Sequence, residues 1–372
     1  MLEFSLILGA GAQITENPLI NLVIIYLPLA LLILYGQKLQ TWLILNDVSK
    51  SVGRLKEMKE KSREETIEHI TQGVDNKDEI VKRLDSFLEY FTIMPVDLDP
   101  AGVINKLDHL MTTRDERMRS EIKKMIPELD TLKANSVENV IEIATSFNFV
   151  YKIVRHFYLV GKKAKSLIIL AQLQMILPFL MLQADALNKA MLAFKKNQPV
   201  GDAIGPLIVG KLMLEKEKHD IAIDTVYAES TILDRKVVLV TAKGPAGTVG
   251  QPGNAVKELI EKQKPSLLIM IDAALKLEGE KTGEIAEGIG AAIGGIGVDR
   301  FKIEESATQN NIPIYAIVVK QTIVEAISVM RKEIAESVKP VHDVIDRIIE
   351  EKTEKTDTVI IVGVGNTVGV IQ

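Results

Sequence analysis

Two aspartates stand where a carboxylate has chemical leverage. Asp202 lies in NQPVGDAIGPLIVGKLM, Asn197 to Met213, between Gly201 and the apolar start of a helix. There it either caps the helix by accepting from free backbone N–H groups, or stays ionised in a first turn that also welcomes an anionic ligand. Asp272 closes the apolar run of SLLIMIDAAL, Ser266 to Leu275. Burying an acid at a strand end is costly unless it is hydrogen-bonded, holds a metal or faces a cleft. The loop beyond carries Glu278, Glu280, Glu284 and Glu287, then GIGAAIGGIG from Gly288 to Gly297, which reads as solvated acids followed by a flexible lid.

A third segment, KVVLVTAKGPAGTVGQPGNAVKEL from Lys236 to Leu259, runs a strand into Lys243, Gly244, Gly247, Gly250 and Gly253 before a helix begins near Asn254. Backbone N–H groups of such a loop can cradle a phosphate, with Lys243 adding positive charge. The spacing is neither G-x-x-x-x-G-K-[ST] nor a clean G-x-G-x-x-G, and strand-to-helix turns use glycine regardless. A fourth, DTVIIVGVGNTVGVIQ from Asp357 to Gln372, takes a strand straight into Gly363, Gly365 and Asn366.

These segments need a sheet to hold them. After Pro199 the pattern becomes short β-rich runs separated by glycine turns and helical stretches. Strands are expected at Ile221–Val226, Lys236–Thr241, Leu267–Ile271, Ile312–Val319 and Thr358–Val362. Helices are expected at Ala203–Lys218, Asn254–Lys264 and Thr322–Glu351. Their alternation predicts an α/β domain over about residues 197–372: an open, mostly parallel sheet flanked by helices, with ligands beyond the carboxyl ends of the strands.

Upstream, residues 37–196 read as an all-α stalk or bundle. Apolar residues recur at helical spacing in Val48, Val52, Leu55; Ile80, Leu84, Phe87, Leu88, Phe91; and Met118, Ile122, Met125, Leu129. Asp99 with Pro100 fits a helix start, and Asn135 or Ser136 would cap a helix from Val137. The region would also serve a homo-oligomer, although no heptad persists. Residues 166–184 form a second apolar run, but Gln172, Gln174, Gln183 and Pro178 favour a buried or interface helix over a membrane span.

Leu19 to Gly36 carries no charge; eighteen residues at about 1.5 Å each reach roughly 27 Å, close to the hydrocarbon thickness. This is the expected transmembrane helix, with Pro28 inside it and Tyr26, Tyr35 and Trp42 as interfacial aromatics. The preceding segment lacks Lys and Arg, so it reads as a retained span and not a cleaved leader. Lys38, Lys50, Arg54, Lys56, Lys59, Lys61 and Arg63 follow it, so residues 1–18 are expected outside and the bulk of the chain in the cytoplasm of a single-pass membrane protein.

Composition agrees with this plan. The chain has 372 residues, 47% of them hydrophobic, and a mean hydropathy of +0.15. A net charge of −5 offers no electrostatic reason for nucleic acid as a partner. With no cysteine, disulfides, thiolate metal sites and a cysteine nucleophile are excluded, and five scattered histidines argue against a histidine-rich metal site.

The C-terminal motifs resemble the fold shared by the spore germination protease and the hydrogenase-maturation endopeptidases. VGVGN (Val362–Asn366), GDAIGPLIV (Gly201–Val209), IDAAL (Ile271–Leu275) and IPIYAIVVKQTIVEAI (Ile312–Ile327) carry the likeness. In that fold the glycine–asparagine strand comes first; here it comes last, which implies a circular permutation placing Val359–Asn366 beside Asp202. The metal-binding histidine of the maturation enzymes has no counterpart, since His219 and His342 sit in charged sequence. The whole chain also resembles an uncharacterised family of archaeal membrane proteins.

The resemblance matches Asp202 and Asp272 to the two acidic positions of the germination protease. A close pair of carboxylates shares a proton, activates water against a carbonyl and protonates the leaving group. Alternatively, both stay ionised around a divalent cation, for which oxygen ligands favour Mg, Ca or Mn. The reading is a membrane-anchored protein with a peptidase-like domain and an acid-pair hydrolase site. Against it stand a non-catalytic module binding a nucleotide or anion through Lys243, Gly244, Gly247 and Gly250, and a purely structural membrane-associated protein.

Overall fold

Burial along the strands sets the architecture of the C-terminal half. In β4 (Leu267–Leu275), Leu267, Ile269 and Ile271 enter one apolar cluster, while Leu268 and Met270 enter another on the opposite face. The same alternation divides β3 (Arg235–Ala242) and β7 (Thr358–Gly363) between the two clusters. A strand that is apolar on both sides has to lie inside a sheet covered twice, and these three do. The computed structural model describes residues 18–72, 76–90, 102–127, 131–245, 247–295 and 297–372.

The seven-stranded sheet has the order β1-β2-β3-β7-β4-β6-β5, with β1 Lys218–Ala222, β2 Thr225–Ile232, β5 Ile285–Ile289 and β6 Ile314–Gln321. Its centre, β3-β7-β4-β6, is parallel; β1, β2 and β5 pair antiparallel at the edges. One face packs on Ile204, Ile208, Val209 and Met213 and on Val341, Ile345, Ile348 and Ile349. The other packs on Ala255, Val256, Leu259 and Ile260 and on Ile303 and Ala307.

Among the described residues the helices are α1 Pro18–Ile70, α2 Lys77–Leu88, α3 Val103–Met125, α4 Thr131–Ala164, α5 Leu167–Lys195, α6 Ile204–Met213, α7 Pro252–Gln263, α8 Val298–Gln309, α9 Ile323–Ile327, α10 Lys332–Glu336 and α11 Val338–Lys352. Contacts divide the chain into two compact units. One comprises the described residues up to Arg54 with Lys152–Pro178, the other Leu55–Tyr151 with Phe179–Gln372. In the second unit Ile70, Ile80, Leu84, Phe87, Met118, Ile122 and Ile141 bury a helical core.

Several expectations change. Ile221–Val226 is not one strand: Asp224 adopts a positive φ of 51°, and the chain reverses between β1 and β2. The helix expected to reach Lys218 stops at Met213, since Leu214 is extended, and Lys218 opens β1. Thr322–Glu351 is three helices, broken between Ser328 and Arg331, which are extended, and again at Ser337. Asn135 and Ser136 lie inside α4 and cap nothing at Val137. No break follows Gly36, because α1 continues to Ile70. Part of the expected glycine lid, Gly288 and Ile289, belongs to β5. The run at 166–184, expected as a buried or interface helix, leaves Ile168, Met175, Ile176, Phe179 and Leu182 exposed in the single chain, and α5 is long and apolar enough to cross a membrane. Residues 1–17, Phe91, the Asp99–Pro100 start and Leu129 lie outside the described residues.

Candidate functional site

The carboxyl edge of the parallel strands is where the two aspartates meet. Asp272, two places past Met270, points to the α7–α8 face and is 7% exposed. Asp202 sits in a single 3-10 turn, Gly201–Ala203, that leads into α6. Two glycines let α6 approach the sheet: a Cβ on Gly205 would overlap the carbonyl oxygens of Val364 and Ile271, and one on Gly363 would overlap the backbone of Gly205. The Val364 N–H donates to Ile271 O at 2.8 Å, and the Asn366 N–H donates to Asp202 Oδ2 at 2.8 Å. The last strand therefore lies beside the segment that carries Asp202.

Both acids line one cavity of about 420 Å³ with Val364, Gly365, Pro252, Asp299 and Lys302. Burial pushes the Asp272 carboxyl up to about 8; the charge of Asp202 adds to this, and N–H groups of Ala273 and Gly294 oppose it. Burial also raises Asp202, against the pull of the Asn366 N–H. Both shifts favour a proton held on the pair, so one member can donate while the other accepts.

Helix α3 lines the same cavity with Asp108, Met111, Thr112, Arg114 and Asp115. It is held there by Lys302, whose Nζ donates to Asp108 at 2.9 Å and to Asn254 Oδ1 at 2.9 Å, and by the ion pair of Arg119 with Asp224. An adjoining cavity of about 200 Å³ is lined by Arg114, Glu138, Asn139, Glu142, Gly247, Gly250 and Asn366. Burial, and then the neighbouring Glu142, pushes Glu138 up to about 7.

The glycine loop reaches this second cavity at Gly247 and Gly250. Several of its polar groups are engaged within the fold. The Gly244 N–H donates to Gln372 Oε1 and the Gly250 N–H to Thr248 Oγ1, while Gly247 O accepts from Asn139. Lys243 pairs with Asp220 at 2.9 Å. Gly244 is required by packing, since a Cβ there would overlap Val370 O. Among the described residues no three His, Asp or Glu side chains converge to hold a metal ion.

Sequence reasoning reached Asp202, Asp272 and Asn366. It missed Asp108, Thr112, Arg114, Asp115, Glu138 and Asn139, which read as the solvated faces of helices. It also missed Asp299 and Lys302; the position of Asp299 in the first turn of α8, after Gly297, was the one local signal available.

A sheet covered on both faces by helices, with an acidic cavity at the carboxyl edge of its parallel strands, defines an α/β domain of the kind that binds ligands at strand ends. Both domains of the DUF1512 family, to which the chain belongs, are found in it: residues 22–197 match "Protein of unknown function (DUF1512) N-terminal domain", and residues 200–371 match "Domain of unknown function (DUF1512) C-terminal". It is also similar to the germination proteases of Clostridium perfringens strains SM101 and 13. Each is 30% identical over 162 residues, which is 42% of this chain and 43% of theirs. The chain thus spans less than half the length of these curated relatives.

Proposed function

We propose that the chain is a membrane-anchored hydrolase whose α/β domain cleaves peptide bonds with Asp202 and Asp272. One observation carries the reading: two carboxyls with raised pKa values share a cavity at the carboxyl edge of the parallel strands. The similarity to germination proteases supports a peptidase-like domain. In the proposed reaction Asp202, ionised, takes a proton from water as the water oxygen attacks the substrate carbonyl carbon. Asp272 gives its proton to the amine nitrogen as the C–N bond breaks, and the pair returns to its starting state by proton exchange. The anchor is the apolar start of α1, residues 19–36. Ile20, Leu22, Val23, Tyr26, Leu27 and Leu29 are all exposed there, and the basic residues that follow favour a cytoplasmic location for the α/β domain.

The test uses the full chain in phospholipid vesicles, incubated with a denatured-protein mixture whose new termini are read by mass spectrometry. Wild type should generate new termini, and Asp202→Asn and Asp272→Asn should each lower the rate by about 100-fold or more. Cleavage unchanged in both variants, or no cleavage by the wild type, would overturn the proposal.

A further inference from the structure

Between Glu142 and Asp185 the sequence holds no acidic residue, yet it includes Lys152, Arg155, Lys162, Lys163 and Lys165 in a chain of net charge −5. The stretch forms α4 and α5, joined by a tight turn in which Lys165 has a φ of 50° and the Ser166 N–H donates to Gly161 O at 3.1 Å. A Cβ on Gly161 would overlap Leu170, so the two helices are in close contact next to their turn.

Within the unit that holds Lys152–Pro178, one side of this hairpin is packed and the other is bare. Val154, Leu170, Leu173 and Leu177 are buried. Ile153, Phe157 and Val160, at i, i+4 and i+7 of α4, are exposed, as are Ile168, Met175 and Ile176 on α5, with Met175 at 79%. Lys162, Lys163 and Lys165 stand exposed beside them. Apolar residues on a helix surface next to cations, with no anion between, are the features of a helix lying in the headgroup boundary of a bilayer.

We infer that the α4–α5 hairpin is a docking surface for the negatively charged face of a phospholipid bilayer, a second lipid contact besides the start of α1. The charges choose the occupant and its mode. A second copy of the hairpin would set like charges against each other. Crossing the bilayer would carry the charged Lys152 and Arg155 of α4 into hydrocarbon, which disfavours that mode. At the headgroup level both groups keep water and gain phosphate while Phe157 and Met175 leave water. This inference is independent of the acid-pair reading.

The chain lacks cysteine, so single-cysteine labelling is clean. Phe157→Cys, Met175→Cys and, as a control on the α/β domain, Leu277→Cys would each carry an environment-sensitive fluorophore on the full chain. Vesicles would be phosphatidylcholine alone or mixed with phosphatidylglycerol. In the mixed vesicles the labels at 157 and 175 should be quenched by nitroxides on the lipid chains and protected from iodide, while the label at 277 responds to iodide alone. Replacing Lys162, Lys163 and Lys165 together by Gln should lose that lipid quenching, with helix content checked by circular dichroism. Iodide quenching at 157 and 175 in both vesicle types would overturn the inference. So would equal lipid quenching in both types, or protection from both quenchers with cross-linking between copies. Co-sedimentation with vesicles reports the α1 anchor separately.

Discussion

Asp272 gives the site a pH signature that differs from that of an ordinary carboxylate. Unfolded, it titrates near about 3.9, whereas in the fold it is pushed up to about 8. Between those values the folded chain binds a proton that the unfolded chain releases, so the contribution to stability is complete below about pH 4 and is lost as pH rises through about 8. Asp272→Asn cannot ionise, so its melting temperature should fall less than that of the wild type between about pH 5 and pH 9, as scanning calorimetry would show. Peptide cleavage by the wild type should decline across the upper end of the same range. Asp202 separates structure from chemistry in another way. Asp202→Ala strands the Asn366 N–H and should cost about 1–3 kcal/mol in urea unfolding, whereas Asp202→Asn keeps an acceptor and should cost much less.

The elements that set this geometry depend on close backbone approach. Gly205→Ala would press a methyl group against the carbonyls of Val364 and Ile271, and a loss of about 1–3 kcal/mol is expected from the shift in urea midpoint. The central strands were legible in the sequence because they are apolar on both faces, as in Val359–Val362. The β1–β2 hairpin was not, since its reversal rests on the backbone of Asp224 and leaves Ile221 to Val226 looking continuous. Helical periodicity likewise continues across the breaks at Ser328–Arg331 and Ser337, which only the fold reveals. For the site, Asp272 was visible because an acid closing an apolar run breaks a local rule, and Asp202 because it stands at a helix start inside a motif resembling the germination protease. The α3 side of the cavity was not, because Asp108 and Arg119 find their partners, Lys302 and Asp224, far along the chain.

On the scale of the molecule, Leu55–Tyr151 and Phe179–Gln372 form one compact unit. The amides of α4 before Tyr151 should therefore exchange with deuterium in the same global opening as those of β4 and β7; early exchange confined to α4 would show the helical part to be separately stable. The position of β7 has a consequence for biosynthesis. Thr358–Gly363 follows the other six described strands in sequence, yet it lies between β3 and β4. Until it emerges from the ribosome, two half-sheets must wait with bare edges, the condition under which nascent chains recruit chaperones or aggregate. A chain cut short before Thr358 would thus be unable to close this sheet, whatever the condition of its helices.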